Sequence, residues 1–175
     1  MPTPIGHALA GLAVAGASRK AGDRIPASHV AILMFCAVAP DLDLALRLLD
    51  GVNHHRGPSH SLGAAVLAGM AGLLVRRLGA DLPSAWAISS AWASHVLLDY
   101  LGLDTSPPIG EMALWPVSGA FFASPVSVFY DIPRSFSGWA IRHNALAVAI
   151  ELAVLAPLTL ICWGRLRPRG AGGEQ

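Results

Sequence analysis

Apolar residues in this chain come in long runs instead of strict alternation, and the runs are bounded by helix start and stop signals. Five stand out, at residues 5–18, 25–39, 60–75, 82–101 and 144–163, nearly free of charge and flanked by Pro, Gly, Ser or basic residues. The pattern predicts an all-α protein, a membrane helical bundle of about five short hydrophobic helices with a long loop over residues 102–142. At ~1.5 Å per residue the fifth run reaches about 30 Å, the thickness of a hydrocarbon core. The second and third runs are shorter and need tilt, a thin bilayer or burial against neighbours.

The polar positions are arranged just as unevenly. Imidazoles and carboxylates gather where the apolar runs end, at His7, at Asp41 and Asp43, at His55 and His60, and at His95 and Asp99. Only 13% of the chain is charged, so ionisable groups bordering hydrophobic segments are costly unless they are partnered. A divalent metal is the first partner to consider.

With 175 residues, 54% of them hydrophobic, and a mean hydropathy of +0.53, the chain has material for one membrane-embedded domain, placed at residues 1–165. Residues 166–175 read as a disordered basic tail near anionic head groups. A net charge of +1, with Lys and Arg in short separated clusters, gives no basic field for nucleic acid. Cys36 and Cys162 each sit in an apolar run, where a thiol acts as a small hydrophobe, so no disulfide is expected. No Lys or Arg precedes the first run and His7 interrupts it, so it reads as a retained helix and not a secretory signal.

The basic residues set an orientation. Arg19, Lys20 and Arg24 join the first two runs, Arg76 and Arg77 follow the third, and Arg165, Arg167 and Arg169 follow the fifth. If these ends are cytoplasmic, five passes put the N-terminus outside and the C-terminus inside. All the candidate ligands and the loop over 102–142 then fall on the extracytoplasmic side, which the ligands themselves had no part in setting.

Several of these residues have spacings suited to metal binding. His95 and Asp99 are one helical turn apart and project from one face, although a bundle histidine with a helical Asp partner has the same spacing. Asp41 and Asp43 follow Pro40, which opens a short helix through residue 49; like charges so close repel unless a cation neutralises them. His55 and His60 bracket Arg56-Gly57-Pro58-Ser59, a chain break and helix start that can turn both rings inward. Arg56 is expected beside the metal, where a planar guanidinium suits a phosphate. Glu151, the sole charge within the fifth run, must face the bundle interior; it orients a ligand histidine, carries a proton, or pairs with Arg142 or His143. His54 is read as facing solvent, and His29 lies on the opposite, cytoplasmic side.

Together, His7, Pro40-Asp41-Leu42-Asp43, His55-Arg56-Gly57-Pro58-Ser59-His60-Ser61, Ser94-His95-Val96-Leu97-Leu98-Asp99 and Gly110-Glu111-Met112-Ala113-Leu114-Trp115-Pro116 resemble the YdjM-like family of inner-membrane-associated metal-dependent hydrolases. The likeness runs from residue 4 to about residue 118. That family is in turn similar to zinc-dependent phospholipase C, which implies an all-helical metal site and phosphoester hydrolysis. Pro58-Ser59 stands where the family commonly has a Thr before the second His, and both imidazoles remain in place.

The expectation is therefore a membrane-bound metal-dependent hydrolase acting on a phosphoester such as a phospholipid. One or two divalent ions, zinc first among them, would be held by His7, Asp41, Asp43, His55, His60, His95 and Asp99. Asp43 and Arg56 are the expected catalytic groups, the latter offsetting phosphoryl charge. Two other readings remain open. One is a membrane protein that binds or transports a divalent cation; the other is a soluble helical enzyme whose apolar runs form its core.

Overall fold

The computed structural model describes residues 1–20 and 23–164. Local signals explain most helix starts. The Thr3 hydroxyl accepts from the amide of Gly6 and Pro4 opens α1 (Pro4–Ser18). Ser61 and Ser84 do the same for Ala64 and Ala87 at the starts of α4 (Leu62–Arg77) and α5 (Ala85–Tyr100). Between them, α2 (Ala27–Val38) runs into a 3₁₀ segment, Ala39–Ala45, and a single-turn helix α3 (Arg47–Asp50), which stops at Gly51 with φ +74°. The last helix, α6 (Gly138–Gly164), starts six residues before its hydrophobic run. Ser137 caps it through the Ala140 amide, a polar start that hydropathy does not register.

Helix α1 is the hub, packing on α2, α5 and α6, while α5 also packs on α2 and α4. The core between α1, α2 and α5 is built of small residues, Ala15, Ala37, Ala87 and Ala91 around Leu33 and Ile88. Small side chains let backbones approach closely. At Gly11 a Cβ would lie 2.7 Å from the Leu33 carbonyl oxygen, so any larger residue there would push α1 off α2.

Among the described residues the protein is all-helical, with only two isolated β-bridges, Gly102 with Phe129 and Glu111 with Phe122. The expectation of five crossings is met in length by one helix. With 27 residues and a hydropathy of 2.3, α6 is long and apolar enough to cross a membrane, and only 22% of its apolar window is buried. The other four have 15, 12, 16 and 16 residues, about 18–24 Å, short of a ~30 Å hydrocarbon core. The basic tail over 166–175, with Arg167 and Arg169, and Arg165 before it, lie outside the described residues.

Helix polarity sets the position of the site. The start of α1, the end of α2, the start of α4, the end of α5 and the start of α6 share one end of the bundle, and the chain over 102–137 folds across it.

Candidate metal centre

Three elements bring four residues to a common point. Asp41 comes from the 3₁₀ segment after α2, His60 from the turn before α4, and His95 and Asp99 from successive turns of α5. His60 Nε2 lies 3.6 Å from Asp41 Oδ1 and 3.4 Å from Asp99 Oδ2, and His95 Nε2 lies 3.7 Å and 3.3 Å from the same two atoms. All four of these atoms are buried without a hydrogen-bond partner.

The second nitrogen of each ring explains why. His95 Nδ1 is 2.7 Å from the Ala37 carbonyl oxygen, so it carries the proton and donates it. His60 Nδ1 faces Asp43 Oδ2 at 3.1 Å and Ser59 Oγ at 3.0 Å, both able to accept. In the neutral rings, Nε2 then presents a lone pair to two carboxylates. Such an arrangement is repulsive unless a cation sits among the four atoms or the rings become doubly protonated. A tetrahedral ion with bonds of about 2.0–2.1 Å has ligand-to-ligand edges of about 3.3 Å, close to the spacings seen. The donor set fits a divalent metal.

Asp43 and His55 form a second group that shares His60. Asp43 Oδ1 accepts from His55 Nδ1 at 3.0 Å, and its Oδ2 accepts from Ser59 Oγ at 2.6 Å. These are ordinary hydrogen-bond lengths. Asp43, His55 and His60 could also gather round an ion; the contacts to Asp43 use the Nδ1 atoms of both rings and leave His55 Nε2 buried without a partner. Burial raises the Asp43 carboxyl, and the bonds from His55, His60 and Ser59 outweigh it, holding the group well below its ordinary 3.8. The hydroxyl at position 59 thus supports Asp43 whether supplied by Ser or Thr. His7 stacks on His95 with ring centres 3.8 Å apart, and its Nε2 lies 3.3 Å from Asp99 Oδ1, on the far oxygen of that ligand.

The chain matches the family model for the YdjM inner membrane protein over residues 1–169. It belongs to that family. The match extends past residue 118 and includes α6, and the family is an inner-membrane one. No curated protein and no solved structure matches the chain.

In this family member Arg56, expected beside the metal, lines the approach to the centre and is also engaged by its neighbours. Its backbone takes φ +67°, its guanidinium is paired with Asp104, and Nη2 donates to the Ser106 carbonyl at 3.0 Å. It forms the wall of a cleft of about 730 Å³ that reaches the centre at Asp41 and His55. Glu151 is bound neither to a ligand histidine nor to Arg142 or His143; it accepts from the amide and hydroxyl of Thr3 at 2.7 and 2.5 Å, securing the start of α1. His143 instead pairs with Asp131. His54, expected to face solvent, is partly exposed and bonded to Asp50 at 2.5 Å, and His29 pairs with Asp81 at the other end.

The sequence reading assigned no role to Glu111. It is 1% exposed, and neither carboxylate oxygen has a partner. Two backbone bonds to Phe122 hold it, and the next amide, Met112, donates to the Arg56 carbonyl at 3.0 Å. Burial pushes its carboxyl from 4.5 up to about 9, the charge of Asp99 adds to the rise, and His60 and Arg56 offset part of it. Its sequence signal was a lone acid among apolar and aromatic loop residues.

Proposed function

We propose that this protein is a membrane-bound, metal-dependent hydrolase of a phosphoester. The observation that carries this reading is the set of four unpaired ligand atoms on Asp41, His60, His95 and Asp99, opening through Asp41 onto a large cleft. Zinc is the ion that His and Asp donors in this number suit best. A divalent ion held there would supply Lewis-acid polarisation of a phosphoryl oxygen and make water more acidic.

The chain's own residues supply the rest. Ala37 and Asp43 fix the His95 and His60 rings, so the donors keep their direction as substrate enters. His7 Nε2 faces the other oxygen of Asp99 at 3.3 Å, and neither atom has a hydrogen-bond partner. Glu111, buried with neither carboxylate oxygen partnered and near enough to Asp99 and His60 for their charges to act on it, is the remaining acidic group beside the centre. Arg56 acts through the cleft wall, keeping Asp104 and the 104–110 turn in place.

The reading extends to topology. The helices cross or dip into the inner membrane several times with the centre toward the extracytoplasmic face. In support, Arg19 and Lys20 at the end of α1 and Arg76 and Arg77 at the end of α4 lie at the bundle end away from the centre. Short helices of this kind suit a locally thinned bilayer or a partly immersed bundle.

The test is metal analysis of the purified protein followed by turnover on a panel of phosphomonoesters and phosphodiesters. Metal near one or two equivalents with hydrolysis of at least one ester is the expected result. Stoichiometric metal with no turnover on the panel would favour a protein that binds or moves a divalent cation.

A further inference from the structure

The cleft beside the centre is lined by charged groups of both signs, but their pairing is unequal. Asp104 is taken by Arg56 and by the amides of Ser106 and Gly110. Asp131 is taken by His143 and by the Thr105 hydroxyl. Arg47 and Arg134 also line the cleft, and neither guanidinium has an ion-pair or hydrogen-bond partner among the described residues. The unspent side-chain charge of the cleft, apart from Asp41 at the centre, is therefore two guanidiniums. Such forks suit the oxygens of a phosphate.

The two chain segments that carry these arginines also bear bare apolar side chains. The turn carrying Arg47 exposes Leu48 at 87% and Leu49 at 84%, and the segment carrying Arg134 exposes Phe136 at 98%. Trp139, itself a lining residue, stacks on His143 with ring centres 5.0 Å apart and stays 61% exposed. Isolated exposed apolar residues are ordinary, but these adjoin the two lining arginines in the chain, and Trp139 lines the cleft itself. The second segment also leads directly into α6, the helix of membrane-crossing length, which starts at Gly138. With α6 crossing the membrane, as proposed above, residues 134–139 would lie at the level where aromatic and basic side chains anchor in the head-group layer.

We infer that this cleft takes an anionic phospholipid from the surrounding leaflet, with Arg47 and Arg134 clamping the phosphate and Leu48, Leu49, Phe136 and Trp139 receiving the first acyl segments. The inference rests on the hydrolase reading for the use of the site, but it concerns recognition and is tested separately from turnover. A soluble sugar or nucleotide phosphate would leave these apolar side chains without a partner. A neutral lipid would leave both guanidiniums unpaired.

The test uses purified, metal-loaded full-length protein in non-ionic detergent and two phosphonates that cannot be hydrolysed. One is a dihexanoyl analogue of phosphatidic acid; the other is the same head group without acyl chains. Wild type should bind the lipid phosphonate at least about 10-fold more tightly than the chainless one, the yield expected from burying a few methylenes. Arg47→Ala and Arg134→Ala should each weaken lipid binding about 10-fold, and Arg134→Glu should weaken it further. Leu49→Ser with Phe136→Ser should weaken only the lipid ligand.

These side chains are exposed, so elution as a single species should be retained and is checked for every variant. Wild-type affinity in all the arginine variants would overturn the clamp. Equal affinity for the two phosphonates would overturn the membrane source and make the ligand a soluble phosphoester. Binding as described with no ester turned over would remove the hydrolase reading alone, whereas turnover of a phospholipid unaffected by both arginine substitutions would remove this inference alone.

Discussion

His95 Nδ1 donates across 2.7 Å to the carbonyl oxygen of Ala37, the penultimate residue of α2, and this contact turns the other ring nitrogen toward Asp41 and Asp99. The bond is between helices, so the ligand direction depends on how α2 and α5 pack. Metal affinity should accordingly fall into two tiers. Asp99→Asn or His95→Ala removes a donor and should abolish stoichiometric binding. Asp43→Ala removes only the group that orients His60 and His55 and should lower affinity about 10- to 100-fold. Competition with a chromogenic chelator measures both. Equal losses would place Asp43 among the donors themselves.

Arg56 and Asp104 form a buried pair at the cleft wall, with side chains 6% and 9% exposed. Removing Arg56 leaves the Asp104 charge with only the Ser106 and Gly110 amides, and losing one partner of a buried pair commonly costs up to about 3–5 kcal/mol. Arg56→Ala is expected to destabilise the protein more than Arg56→Ala with Asp104→Ala together, as read by thermal unfolding in detergent. If the double variant is the less stable, the pair is not what Arg56 contributes.

Glu111 makes stability depend on pH. Its folded carboxyl is raised to about 9 from 4.5, so between those values the folded protein holds a proton that the unfolded chain has released. Stability from this group is therefore full below about 4.5 and declines as pH rises toward 9. In metal-free protein, Glu111→Gln should flatten that decline, leaving wild type and variant closest near pH 4.5 and the variant the more stable near pH 8.5. Parallel curves for wild type and variant across this range would exclude the assignment.

Topology has its own measurement. Reporter fusions after Arg77 and after Gln175 should both give cytoplasmic signals, because the basic residues in the last turn of α4 lie at the bundle end away from the metal centre. A periplasmic signal from either fusion would reverse the proposed side of the site.

The sequence by itself determined the helical class, the long α6 and the residues at the centre. These follow from local rules: apolar runs with capping residues make helices, and carboxylates and imidazoles at the ends of such runs are rarely free of a partner. It also placed them at one end of the bundle, because helix direction alternates from run to run. Tertiary structure alone decided which of those groups lie within reach of one another. Asp41 and Asp43 are two residues apart and alike in type, yet the 3₁₀ turn sends one to His60 Nε2 and the other to His60 Nδ1. Arg56, Glu111 and Glu151 likewise owe their partners or lack of them to contacts across 50, 11 and 148 positions in the chain, with Ser106, Phe122 and Thr3 respectively. Spacing along a helix carries no information about such contacts, since they arise only when distant segments are brought together by burial of the apolar faces.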